Sequence, residues 1–278
     1  MARRSWEHVI GLGVAGNFAG HLEQAGEAAD FKDLSIADER APKGIFPFYI
    51  PGKGSHFLHN YPISDQEIRL GSDTLRHQIE PEVALLCGLE YDGDRIVRVL
   101  PRSAMAHNDC SIRREGANKI SEKKNWGPAS KGTSSQMIPI DRFEKGGNLD
   151  DYRIASYLLR ENQLEKYGVD SAVSTYSYMY GELLDWLVGR LNDQKDVGPL
   201  ENIFEWLRTA GHPAEALISI GATRYTDFGE NTFLESGDQS IVILYDCRGH
   251  DEDAIARIAR SPEANLPSGL SVLRQQVL

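Results

Sequence analysis

Long apolar runs are missing from this sequence: no stretch approaches the ~20 consecutive apolar residues that a membrane helix needs, so no membrane partner is expected. Cysteine is scarce. Cys87, Cys110 and Cys247 are an odd number with no close pair, which argues against a disulfide framework, suits a reducing cytoplasm, and reads each as a small buried hydrophobe. Basic charge is short as well: 30 Lys and Arg against 41 Asp and Glu leave a net charge of −11, ill suited to tracking phosphates, so no nucleic-acid partner is expected. Glu7 and His8 break up the apolar start that follows Arg3 and Arg4, and no cleavage pattern comes after it. The start reads as that of a mature cytoplasmic protein. What is present is a chain of 278 residues, 41 % apolar, long enough for one large domain or a main domain with a small extra one. A small-molecule ligand is the expectation that remains.

His8-Val9-Ile10 reads as a short strand entering a Gly-rich turn, followed by a helix over about Ala15 to Ala28 that carries His21. The proline-punctuated Phe46 to Pro51 suits a pocket-lining loop or an edge strand. Val83 to Cys87 and Arg95 to Leu100 have strand character, with Asp92-Gly93 as a hairpin turn between them. Apolar spacing turns helical over Leu149 to Gln163 and Tyr176 to Leu191, and Lys195 to Gly211 reads as an added helical excursion. Strands return at Ala216 to Ile220 and Ile241 to Tyr245. The predicted class is α+β and β-dominated.

Glu80-Pro81-Glu82 stands just before an apolar strand, and alternate residues of an extended segment point to one side. Two anions side by side repel unless a cation sits between them, which a hard divalent ion with oxygen ligands would supply. Asp109, in His107-Asn108-Asp109-Cys110-Ser111-Ile112-Arg113, is a third carboxylate.

Glu80 to Gly88 resembles the E-x-E-x-A-x-x-x-G strand of the fumarylacetoacetate hydrolase family, and Asn108 to Arg113 resembles that family's N-D-V-S-A-R motif. Further likenesses come in family order. Gly11 through Asn17 to His21 is similar to G-x-N-Y-x-x-H, Pro47 to Pro51 to P-x-x-F-x-K-P, and Trp126 with Lys131-Gly132 to W-x-x-x-K-[GS] with one extra residue. Leu183 to Leu187 resembles the E-L-I-x-x-I helix, and Ile218 to Thr223 with Leu234 to Asp238 resembles I-L-T-G-T-P and L-x-x-G-D. The 195–211 excursion and the tail after Asp246 have no counterpart, which marks a divergent member.

The resemblance implies a mixed β-sheet or β-roll with peripheral helices, an N-terminal segment (1–65) with a lid helix, and a catalytic region (66–278) continuous with it. It implies one Mg²⁺ or Mn²⁺ on Glu80, Glu82 and Asp109, with Lys131 countering the carboxylate of a small 2-oxo acid, Thr223 contacting substrate, and a homodimer; Arg113, four positions after Asp109, reads as a substrate contact, a buttress of the site or a structural salt bridge. The metal would stabilise an enolate, the stage shared by C–C hydrolysis, decarboxylation and tautomerisation. For hydrolysis the family pairs a lid His with a Glu three residues on. Here His21 is followed by Gln24, an amide that is no base, so decarboxylation or tautomerisation is expected ahead of hydrolysis, and Gln24→Glu is expected to restore it.

Two rivals remain. Gly11-Leu12-Gly13-Val14-Ala15-Gly16 fits the G-x-G-x-x-G of a dinucleotide-dependent oxidoreductase, though no buried second strand follows. A catalytically weak metabolite-binding scaffold is favoured by Gln24 and the excursion.

Overall fold

The computed structural model describes residues 4–27, 31, 38–72, 74–114, 116–261 and 266–278. The large sheet runs in the order β2 (Gly44–Tyr49), β1 (Ile10–Ala15), β13 (Glu215–Ala222), β6 (Pro81–Asp92), β7 (Arg95–Asn108), β9 (Lys131–Thr133) and β3 (Ile63–Ser64), with β10 (Ile138–Pro139) also on β7. A second sheet runs β12 (Gln163–Ala172), β11 (Tyr152–Arg160), β14 (Gln239–Asp246), β15 (Leu270–Val277) and β4 (Glu67–Ile68), and β5 (Arg76–Gln78) pairs with β8 (Ser111–Arg113). The β-dominated α+β class stands, and no described helix is long and apolar enough to cross a membrane.

Burial on both faces explains why β6 reads as an unbroken apolar run. Val83, Leu85 and Cys87 enter the main core with Ile154, Leu158, Val242 and Leu273 of the second sheet, while Ala84 and Leu86 pack the other way against Phe46, Phe48, Met105 and Leu217. Helix α4 (Glu252–Arg260) covers the outer face of the second sheet, setting Ile255 and Ile258 on Tyr157, Ile243 and Tyr245. Helix α2 (Tyr180–Asp193) buries Leu183, Leu187 and Leu191, one stripe at helical spacing. Within the expected excursion, α3 (Ile203–Thr209) starts where the Asn202 side chain accepts the Glu205 N–H.

Three expectations are corrected. The segment from Leu149 to Gln163 is not a helix but a short 3₁₀ turn and then β11, whose Ile154 and Leu158 face one core while Ala155 and Tyr157 face another. Apolar residues on both faces erased the period-2 signature. The expected helix from Ala15 to Ala28 is the single turn α1 (His21–Gln24), since Ala15 still belongs to β1; Ala28 lies outside the described residues. The third concerns the glycines: Gly11 and Gly13 lie inside β1, where a Cβ would come within 2.2 Å of the Phe48 and Phe46 rings. They admit aromatic rings rather than a pyrophosphate. Because β1 pairs antiparallel with β2 and parallel with the distant β13, no βαβ unit forms, and the dinucleotide reading falls. The Phe46 to Pro51 segment contributes the edge strand β2, as expected. Cys87 and Cys110 are buried, whereas Cys247 is exposed.

Candidate functional site

The β6–β7 hairpin brings the three carboxylates together. Its turn, with Gly93 at φ +58°, pairs Asp92 with Arg95, and the pairing continues through two register shifts, at Glu90/Tyr91 and Leu86/Cys87, to Pro81 opposite Asn108 at the other end. Glu80 and Asp109 therefore leave the sheet side by side, tied by Asp109 N–H to the Glu80 carbonyl (3.0 Å) and by Glu80 N–H to Asn108 Oδ1 (3.1 Å). Glu82 projects to the same side from the first turn of pleat. Its Oε2 accepts the Gly221 N–H at 2.9 Å, made available by an irregularity in β13 where Gly221 takes φ +114°. Ligand oxygens of Glu80, Glu82 and Asp109 lie within 4.8 Å of one another, and all three residues are buried.

Cations surround this group. Lys124 Nζ stands 2.6 Å from Glu80 Oε2 and 2.6 Å from Asp109 Oδ2; Lys131 Nζ is 3.4 Å from Asp109 Oδ1 and donates to the Cys110 carbonyl. Arg113 reaches Glu80 Oε1 (2.6 Å), Glu27 Oε1 (2.7 Å), Gln78 Oε1 (2.6 Å) and the Tyr225 hydroxyl (2.9 Å). Lys124 makes an aligned hydrogen bond to Glu80, but neither Asp109 oxygen receives one from either lysine despite the short distances. Burial disfavours the Glu80 anion, yet Lys124, Arg113 and His21 outweigh it and hold its pKa well below the usual range. Burial, then the Asp109 and Glu80 charges, push Glu82 well above that range. Burial also raises Asp109 and lowers Lys131. The same burial works against the Lys124 ammonium, but Asp109 and Glu80 keep it charged.

His21 opens α1 and is buried, its Nδ1 2.9 Å from the Thr223 carbonyl. A carbonyl only accepts, so Nδ1 carries the proton and Nε2 presents a lone pair. Burial lowers its pKa, keeping it neutral. Gln24 makes no bond to His21: its amide donates to the Tyr225 carbonyl (3.2 Å) and Glu230 Oε2 (3.0 Å) and accepts the Tyr225 N–H (2.9 Å). Gly26, at φ +70°, turns the chain so that Glu27, not Gln24, lines the cavity with His21, Glu80, Glu82 and Lys124. That cavity measures about 20 Å³, room for a single water. On the other side of the Arg113 and Glu27 pair a more open cavity of about 370 Å³ is lined by Arg76, Arg114, Lys123 and Gln24.

Of the expected site residues, His21, Glu80 and Glu82 line the small cavity, Asp109, Arg113, Lys131 and Thr223 touch those residues or one another behind it, and Gln24 faces away. Lys124 was missed, because it sits in a polar, lysine-rich stretch with no apolar period and matches none of the motifs. The signal that pointed there was charge: three buried carboxylates need more counter-charge than Lys131 and Arg113 supply. Three buried carboxylates, with Glu80 Oε1 and both Asp109 oxygens lacking an aligned hydrogen bond, suit a hard divalent ion chemically. The repulsion among them does not by itself demand one, since Lys124 already stands between two of the three.

The architecture is that of the fumarylacetoacetate hydrolase family. Solved structures similar to this chain include a 2-keto-3-deoxyarabinonate dehydratase (14 % identity, TM-score 0.54, covering 97 % of this chain and 73 % of that one) and a 2-keto-3-deoxy-D-arabinonate dehydratase complexed with magnesium and 2,5-dioxopentanoate (15 %, 0.51, 97 % and 72 %). Another is a Yersinia pestis CO92 protein described as belonging to the fumarylacetoacetate hydrolase family (13 %, 0.51, 97 % and 94 %). At these identities the likeness is one of fold. No curated protein matches the sequence. The chain belongs to DUF5718, a family of unknown function whose model matches residues 27–277.

Proposed function

We propose that this chain is an enzyme acting on a small 2-oxo acid at Glu80, Glu82 and Asp109, with Mg²⁺ or Mn²⁺ as cofactor. The observation that carries the reading is the convergence of three buried carboxylates, two of which line one cavity with a neutral His21. A divalent ion, when bound, supplies Lewis-acid stabilisation of negative charge on a substrate oxygen. The chain's own residues do the rest. His21 Nε2 offers the lone pair that takes a proton from the carbon next to the keto group, and the Thr223 carbonyl holds the ring in that tautomer. Lys131, against Asp109, balances the substrate carboxylate. Arg113 is a second carboxylate receptor: Glu27 of the lid occupies it in this closed state, and an acid substrate would take that place when the lid opens.

Opening is required, because about 20 Å³ cannot admit a 2-oxo acid. Gly20 and Gly26, both at positive φ, flank the single turn that would move. With Gln24 engaged by Tyr225 and Glu230, water lacks the His–carboxylate pair the family's hydrolases use, which favours decarboxylation or tautomerisation over C–C hydrolysis. A metabolite-binding protein without turnover is the second reading, favoured by Lys124 between the carboxylates. A cytoplasmic homodimer goes with either reading.

Thermal denaturation with oxalate, an enolate mimic, tests the proposal. At a hundredfold excess over Kd a bound ligand adds about 2.7 kcal/mol, several degrees of Tm. Oxalate is expected to stabilise wild type with Mg²⁺ or Mn²⁺ present and Glu82→Ala not at all; stabilisation indifferent to the ion, or none, would contradict the reading.

A further inference from the structure

We infer that Lys124 and a divalent ion compete for a single notch between Glu80 and Asp109, so that metal enters this site by displacing the lysine; this rests on the proposed metal and 2-oxo acid reading. The Lys124 side chain is 2 % exposed and bridges the two carboxylates at 2.6 Å each. Each oxygen of these two residues already faces a cation: Glu80 Oε1 meets Arg113 and Oε2 meets Lys124, while Asp109 Oδ1 meets Lys131 and Oδ2 meets Lys124. Among the described residues, Glu82 is the member of the trio with no lysine or arginine within ion-pairing distance.

A Mg²⁺ ion bonds oxygen at about 2.1 Å. An ion taking Glu80 Oε2 and Asp109 Oδ2, the pair Lys124 bridges, would need the space of the Lys124 ammonium, and two cations in contact repel too strongly to share the gap. The lysine can leave. It reaches in on a flexible four-carbon stem from the end of the 3₁₀ turn Ile120–Lys123, with its ammonium 5.0 Å from the centre of the Phe46 ring. With Lys124 in place, four cationic side chains, Lys123, Lys124, Lys131 and Arg113, stand against four carboxyl groups, Glu27, Glu80, Glu82 and Asp109, so the site has counter-charge without metal. Lys124 then sets the metal affinity of the site, and a bound 2-oxo acid, whose anion adds negative charge, assists the exchange.

Calorimetric titration of Mn²⁺ into the full-length protein tests this in wild type, Lys124→Met and Lys124→Gln. Both variants are expected to bind Mn²⁺ at least tenfold more tightly than wild type, and to gain more Tm from it. Equal or weaker binding by the variants would overturn the inference. Should either variant fold only when Mn²⁺ is supplied, the ion has replaced the lysine and the inference stands. A wild-type crystal soaked with Mn²⁺ and oxalate gives a reading independent of the variants. Anomalous density in the notch with Lys124 withdrawn is the expected result; density beside a Lys124 still bridging Glu80 and Asp109 overturns competition while leaving the 2-oxo acid reading intact. No bound ion in wild type or either variant overturns both.

Discussion

Glu201 gives the sharpest stability prediction. It lies within the 195–211 excursion, 5 % exposed, and burial pushes its carboxyl up to about 7 from an ordinary 4.5, more than Ser121 and Lys119 pull it down. The folded state therefore holds a proton that the unfolded chain releases earlier. Below about pH 4.5 both states are protonated and the group contributes nothing. Between 4.5 and 7 the unfolded state ionises first, so stability falls by about 1.4 kcal/mol per pH unit, to a total of about 3 kcal/mol, and is flat above. Glu201→Gln removes the ionisation while keeping the shape. Urea denaturation of wild type and variant at pH 4.5 and pH 8 is the assay. The variant should match wild type at the lower pH and exceed it by about 3 kcal/mol at the higher, with unchanged m. A variant that loses stability at pH 8, or a difference that does not vary with pH, would mean the carboxylate is ionised and paired, and the burial argument would fail.

Gln24→Glu removes both donors facing the Tyr225 carbonyl and Glu230 and sets two carboxylates together, so it should loosen the α1 turn at a cost of about 2 kcal/mol rather than restore hydrolysis; chemical denaturation and an acylpyruvate hydrolysis assay check both halves. Arg113→Ala leaves Glu80 to Lys124 alone and Glu27 to Lys123 alone, two buried carboxylates each short of one partner, and should cost about 3 kcal/mol in Cm-derived stability, with a loss near zero showing the pairs to be solvated. Gly11→Ala drives a methyl into the Phe48 ring and should cost about 1–3 kcal/mol, whereas NAD should bind neither variant nor wild type in calorimetry.

Where a residue's neighbours follow from pairing along one hairpin, the sequence was readable. Glu80, Glu82 and Asp109 needed the strand period and one antiparallel register, both carried by local pattern and by the likeness of Asn108 to Arg113 to a family motif. Helix α2 announced itself through Leu183, Leu187 and Leu191, since one of its faces meets solvent. Strand β11 did not, because cores on both sides leave no polar face to mark the period. The glycines of β1 fitted a nucleotide motif because that motif and close aromatic packing ask the same thing of a residue: no Cβ. The helix expected to Ala28 was overextended for a related reason. A helix continued past Gln24 puts Glu27 further along its axis, but the left-handed turn at Gly26 brings it back against Arg113. Lys124 reaches its partners through tertiary contact alone, which no spacing encodes.

Proton exchange at C3 of a 2-oxo acid bears most directly on the central claim, that Glu80, Glu82 and Asp109 with His21 enolise such a substrate. Oxaloacetate and simple acylpyruvates, incubated in D₂O with wild type and Mg²⁺ or Mn²⁺ and followed by ¹H NMR, should lose the C3 signal faster than with ion alone. Glu82→Ala and His21→Ala should each slow the enzyme-dependent exchange by a hundredfold or more, about 2.7 kcal/mol in the barrier. Exchange at the rate of the free ion across the whole panel, or undiminished exchange in both variants, would contradict the account.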